Sequence, residues 1–106
     1  GKPVRSCLML AVQADNTEVT TLEGLTGLGE LSVIQEAFME EYGFQCGFCT
    51  PGMILVTKAL LDENPNPTVD EIEQALEGNL CRCTGYEQII ESVLRAADLG
   101  RKQRAR

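Results

Sequence analysis

Five cysteines and no histidine set the chemistry open to this chain. The cysteines fall at Cys7, at Cys46 and Cys49 within QCGFCTPG, and at Cys81 and Cys83 within NLCRCTGY. An odd number cannot all pair as disulfides, and clustered cysteines in a reducing compartment more often bind metal or do redox work. Without histidine, a four-ligand soft-metal site must be built from thiolates, which excludes mixed Cys/His zinc fingers. Cys46, Cys49, Cys81 and Cys83 make such a set, since two short loops can each deliver two thiolates from its own direction. A four-cysteine zinc site fits, although zinc sites usually combine two C-x-x-C pairs and Cys81-Arg82-Cys83 is C-x-C. A [2Fe-2S] cluster fits the same ligands. A redox dithiol in CGFC should follow a strand of a βαβ unit, whereas a helical pattern precedes it here. Buried, unligated cysteine is the remaining option. With no histidine there is no Ser/His/Asp set, and the paired carboxylates read as solvated helix faces.

The elements that must carry these loops are mainly helical. Ser32 with Gln35 predicts a capping box, opening a helix with Ile34, Phe38 and Tyr42 at four-residue spacing and Gly43 as its stop. Thr50 as N-cap and Pro51 at the first helical position predict a second helix, GMILVTKALLDE, apolar nearly all round and so the most buried, ended by NPNP. Thr68 with Glu71 opens a third, with Val69, Ile72, Ala75 and Leu76 inward and Gly78 closing it. Thr84 with Glu87 opens a fourth, with Ile89, Ile90, Val93, Leu94 and Ala97 inward and Gly100 as the stop. Short connections suggest a small four-helix bundle. Ile34–Phe38 resembles Ile72–Leu76, and each is followed by glycine, a cysteine pair and Cys-Thr, so a unit of helix, cysteine loop and helix is used twice. Before the helices, SCLMLAV, QADNT and EVTTL read as strand, turn and strand, and EGLTGLGE as a glycine-rich linker. Such a hairpin is marginal alone and suggests the edge of something larger.

At 106 residues and 43% hydrophobic content, the chain supports one main core. No apolar run reaches the roughly 18 to 20 residues that span a bilayer, and the start lacks a signal-peptide pattern, so the expected location is cytoplasmic. Nine basic and sixteen acidic residues give a net charge of −7, which argues against nucleic acid or an anionic membrane as the main partner. RKQRAR, residues 101–106, holds four of the nine basic groups, leaving a net −11 on residues 1–100; it reads as a solvated tail.

GFQCGFCTPGMI, ENPNPT and GNLCRCTGYEQII are similar, in order, to the C-terminal domain of the iron-sulfur subunit of the molybdenum hydroxylases, the family of xanthine dehydrogenase, aldehyde oxidoreductase and aerobic carbon monoxide dehydrogenase. The resemblance covers about residues 4–97. It implies a [2Fe-2S] cluster on Cys46, Cys49, Cys81 and Cys83 in a four-helix domain, with electrons passing from molybdopterin through it to a second cluster and on to FAD or another acceptor. It further implies that Gln45 and Cys83 lie against the pterin of a large partner subunit, and that FAD sits on another partner. PVRSCLMLAV resembles the end of the family's plant-type ferredoxin domain, in which Cys7 would be the last ligand of the second cluster; the other three would lie in an upstream segment missing from this sequence. Ser32-Val33 departs from the His-Pro of many relatives. The expected organisation is therefore a ferredoxin-like edge with its β-hairpin over residues 1–24, a helical [2Fe-2S] domain over 25–100, and a basic tail over 101–106. The expected role is an electron-transfer subunit with no substrate chemistry of its own; the alternative is a zinc-stabilised helical interaction module.

Overall fold

Ser32 and Gln35 close the first helix as their spacing requires: the Ser32 hydroxyl accepts from Gln35 N at 3.2 Å, and Ser32 N donates to Gln35 Oε1 at 2.8 Å. The computed structural model describes residues 1–26 and 29–104. Four helices make up the fold: α1 (Val33–Glu40), α2 (Thr50–Glu63), α3 (Val69–Leu76) and α4 (Glu87–Arg104). α1 packs along α4, and α2 and α3 complete the bundle. Each short helix, α1 or α3, leads through a cysteine loop into a longer one, so the helix, loop, helix unit occurs twice.

The main core gathers Phe38 from α1, Met53 and Ile54 from α2, Ile72 and Leu76 from α3, and Ile89 and Val93 from α4, with Cys81 among them. A second, small-residue contact joins Ala37, Leu61, Ala96 and Ala97. α2 is the most enclosed helix, with Pro51, Asp62 and Glu63 its only exposed residues. Its buried Thr57 donates to Met53 O at 2.7 Å, so the hydroxyl is satisfied within the helix. On α4, Ser92 and Ala96 are buried where Leu94 was expected, and Leu94 is exposed; Val69 of α3 is exposed as well. The five buried positions Ile89, Ser92, Val93, Ala96 and Ala97 follow one 3.6-residue stripe.

The stop of α1 differs from the expectation. Tyr42, not Gly43, takes the left-handed conformation at φ 55°, and Gly43 N then donates to Phe38 O at 2.8 Å. Tyr42 therefore leaves the helical stripe and is exposed. Gly43 serves a different purpose: a Cβ there would stand 2.3 Å from Ser92 Oγ and 2.8 Å from Phe38 Cδ1. Gly100 does not stop α4, which runs on to Arg104. Asp98 holds that last turn, meeting Lys102 at 3.1 Å and Arg95 and Arg101 at 3.5 Å, and cations suit the negative end of a helix. The remainder of the expected tail, 105–106, and the 27–28 part of the expected linker lie outside the described residues.

The N-terminal β-hairpin is not present. Among the described residues there is no strand; Ser6–Leu8, Ala11–Ala14 and Leu22–Leu25 form short 3-10 turns instead. A two-stranded ribbon needs a further strand or a packed face to be stable, and here Val4, Leu8, Leu10, Val12 and Val19 are all exposed. The segment is tied to the bundle by Leu22 and Leu25, which pack on the main core, and by Arg5, whose guanidinium reaches Gly78 O at 3.4 Å.

Two glycine substitutions are expected to act in opposite directions in urea unfolding. Gly43→Ala forces α1 and α4 apart and costs about 1–3 kcal/mol. Gly100→Ala, with open space around the new methyl group, gains about 0.5–1 kcal/mol from helix propensity. Equal midpoints for the two variants would remove the close approach at Gly43 as a determinant of the fold.

Candidate metal centre

Two loops at one end of the bundle carry the four clustered cysteines. The first runs from the end of α1 to Cys49, which is itself the N-cap of α2; Thr50, expected in that role, is the first helical residue. Gly47 turns this loop at φ 81°, a conformation that favours glycine, and Thr50 N donates to Gly47 O at 3.3 Å. The turn lets Phe48 N–H donate to the Cys46 sulfur. The second loop joins α3 to α4. There Gly85 and Tyr86 both have φ 72°, and Tyr86 O–H donates to Asn79 O at 3.4 Å while its oxygen accepts from Cys81 N at 2.7 Å. A tyrosine in the left-handed region is strained, and its two hydrogen bonds across the loop hold it there.

The four thiols influence one another, most strongly Cys46 with Cys83 and Cys49 with Cys81, and charge on Cys81 also bears on Cys46 and Cys83. Among the described residues, no three cysteine or carboxylate side chains gather around a single ion-sized point. The Cys49/Cys81 pair is the inner one, with Cys81 buried and Cys49 partly so; Cys46 and Cys83 are exposed. Phe44, Phe48 and Leu80 stand exposed beside the loops, as does Gln45 next to Cys46. Cys7 lies exposed in the first 3-10 turn and belongs to neither pair.

Each pair shares its protons unequally. The Cys46 thiol is lowered, first by Phe48 N–H and then by Cys83, which donates to it; that same bond raises Cys83. Cys81 is lowered to about 7 by the Thr84 hydroxyl and then by Thr84 N–H. Cys49 is pushed up to about 11, first by burial and then by its hydrogen bond to Cys81. Each pair thus presents one thiolate-prone and one proton-holding sulfur, and binding a soft metal group must release the second proton.

Sequence reasoning named the four clustered cysteines but gave no site role to two residues that shape the second loop. Thr84 was expected to cap α4. Its hydroxyl instead lies 3.2 Å from the Cys81 sulfur and accepts Tyr86 N–H at 3.1 Å. The available signal was the spacing of Thr84 and Tyr86, three and five residues after Cys81, in CRCTGY.

In the cluster-free protein, iodoacetamide labelling resolved by mass spectrometry at about pH 7 to 9 should modify Cys46 first of the four and Cys49 last. The Cys49 rate should still be climbing at the top of that range, because its thiolate fraction grows toward a pKa of about 11. Parallel labelling of both would contradict the pairing.

The [2Fe-2S] binding domain family model matches residues 21–94. The nicotinate dehydrogenase small FeS subunit of Eubacterium barkeri is 54% identical over 98 residues, covering 92% of this chain and 62% of the relative. The xanthine dehydrogenase iron-sulfur-binding subunit of Escherichia coli O157:H7 is 48% identical over 97 residues, covering 89% and 60%. Among solved structures, quinoline 2-oxidoreductase from Pseudomonas putida 86 superposes with a TM-score of 0.87 at 45% identity, covering 94% of this chain and 63% of that one. Aldehyde oxidoreductase from Desulfovibrio gigas gives 0.90 at 34% identity, covering 96% and 12%. The chain spans less than two thirds of the length of either relative. Family model, relatives and superpositions agree over the helices and both cysteine loops, and on them the chain belongs to the [2Fe-2S] binding domain family, that of the iron-sulfur subunits of molybdenum hydroxylases.

Proposed function

We propose that Cys46, Cys49, Cys81 and Cys83 hold one [2Fe-2S] cluster, and that the chain is the part of a molybdenum hydroxylase iron-sulfur subunit that receives electrons from molybdopterin. The observation that carries this is the delivery of four cysteines by two loops, each leading into a long helix, within the span matched by the [2Fe-2S] binding domain family model. Two irons need two thiolates each, and each loop supplies one exposed and one more enclosed cysteine. When bound, the cluster supplies reversible one-electron storage at a soft, anionic site. The chain's own residues do the rest: Gly47 and Tyr86 shape the loops, Phe48 N–H and Thr84 donate to the sulfurs, and the main core encloses Cys81.

The exposed edge, with Cys83, Gln45, Phe44 and Phe48, suits burial against a large molybdopterin-binding subunit, with Gln45 and Cys83 toward the pterin. The exposed apolar residues of the first 24 suit a role as the edge of a ferredoxin-like domain, which would account for part of the relatives' greater length. In that organisation residues 25–100 are the cluster domain, 101–106 form its basic end, Cys7 ligates a second [2Fe-2S] cluster, and FAD lies on a further subunit. No helix of the described residues is long and apolar enough to cross a membrane. The location proposed is the cytoplasm, where reduced thiols persist.

Iron and acid-labile sulfide analysis tests the core of this reading, with about two of each expected per chain. Serine at any of the four positions should lower both; one tightly held zinc in a colourless, fully helical protein would favour the interaction-module alternative. Gln45→Ala should keep iron, sulfide and helix content while slowing reduction in the reconstituted complex. Cys7→Ala should remove one of two electron paramagnetic resonance signals when the ferredoxin-like part is present and change nothing when it is not. Loss of the inner signal would mean that Cys7 belongs to the wrong shell.

A further inference from the structure

The hydrogen bonds around Thr84 single out one side chain whose polar atom serves both the loop and a clustered sulfur. Its oxygen accepts Tyr86 N–H at 3.1 Å and lies 3.2 Å from the Cys81 sulfur, and its own backbone N–H points at the same sulfur from 3.5 Å. A thiolate ligand carries no proton, so with Cys81 holding a cluster the Thr84 hydroxyl would be the donor and the sulfur the acceptor. Tyr86 secures the arrangement from the other side by accepting Cys81 N–H at 2.7 Å. The outer pair has a backbone donor, Phe48 N–H on Cys46, while the inner pair adds a side-chain hydroxyl. That hydroxyl is a donor that a single substitution can remove without touching the main chain.

We propose that Thr84 is the positioning residue that sets the reduction potential of the centre, with Tyr86 as the latch that aims it. This rests on the [2Fe-2S] reading above. Reduction adds one electron, supplied in a titration by a chemical reductant such as dithionite through mediators, and transfers no proton to the four thiolates. The added negative charge is shared by iron and sulfur, so a donor on the Cys81 sulfur stabilises the reduced state more than the oxidised one and raises the potential. The site is one where this matters: Cys81 is buried among apolar side chains, where little water competes for the sulfur.

The test is a spectroelectrochemical titration of holo-protein carrying Thr84→Val, which keeps the branched shape, against Thr84→Ser, which keeps the hydroxyl. Thr84→Val should retain two irons and visible absorption and shift the midpoint negative by roughly tenfold in the reduction equilibrium, about 59 mV for a one-electron couple. Thr84→Ser should stay near the parent value. Unchanged potential in an iron-replete Thr84→Val protein would overturn the proposal. Should the valine variant not hold a cluster, the unsubstituted holo-protein still decides. Electron–nuclear double resonance of its reduced form, after brief exchange in D2O, should lose a strongly coupled proton, since hydroxyls exchange at once and enclosed amides slowly; no such loss would equally overturn it. An unsubstituted protein that binds zinc and no iron would instead sink the cluster reading itself, and this inference with it.

Discussion

The contact between Gly43 and Ser92 is the constraint on which the rest of the structure turns. With no side chain at Gly43, the end of α1 reaches the Ser92 hydroxyl at a distance that excludes even a methyl group. Ser92 stays buried without cost because it donates to Gln88 O at 2.7 Å. The first cysteine loop leaves α1 from this point, and the second enters α4 a little over one turn before Ser92. The two loops are thus brought to the same end of the bundle by one backbone approach. Small residues continue the same seam, with Ala37 of α1 against Ala96 and Ala97 of α4.

Inside that frame, the cysteines are arranged by exposure. Cys81 belongs at once to the apolar core and to the thiol set, so packing and chemistry share a residue. Its neighbours supply what burial takes away: backbone and side-chain donors replace water around the sulfur. The opposite pair keeps its contact with solvent. A centre built this way has an insulated side and an open side.

Much of this was legible in the sequence, for physical reasons that can be named. The capping box at Ser32, the breaker NPNP and the two cysteine pairs are local signals, and local signals survive into the fold. What failed was non-local. Gly43 reads as a helix stop because glycine usually takes the left-handed position, yet Tyr42 takes it and Gly43 answers to α4. Thr84 carries the spacing of a cap, but a sulfur three residues earlier offers a better use for its hydroxyl. Gly100 looks like an end, but Asp98 holds the turn beyond it. The N-terminal apolar segment has strand composition but nothing to pair with, and composition alone cannot supply a neighbour.

α4 has one more consequence. It starts four residues after Cys83 and continues unbroken to Arg104, a rigid rod of about 27 Å at 1.5 Å per residue. One end of the rod stands at the thiolates; the other carries Arg101, Lys102 and Arg104, on a body otherwise strongly acidic. The far end of α4 therefore gathers three of the nine basic groups in one turn. Charge placed unevenly in this way acts on other charged surfaces at a distance, and most strongly at low ionic strength.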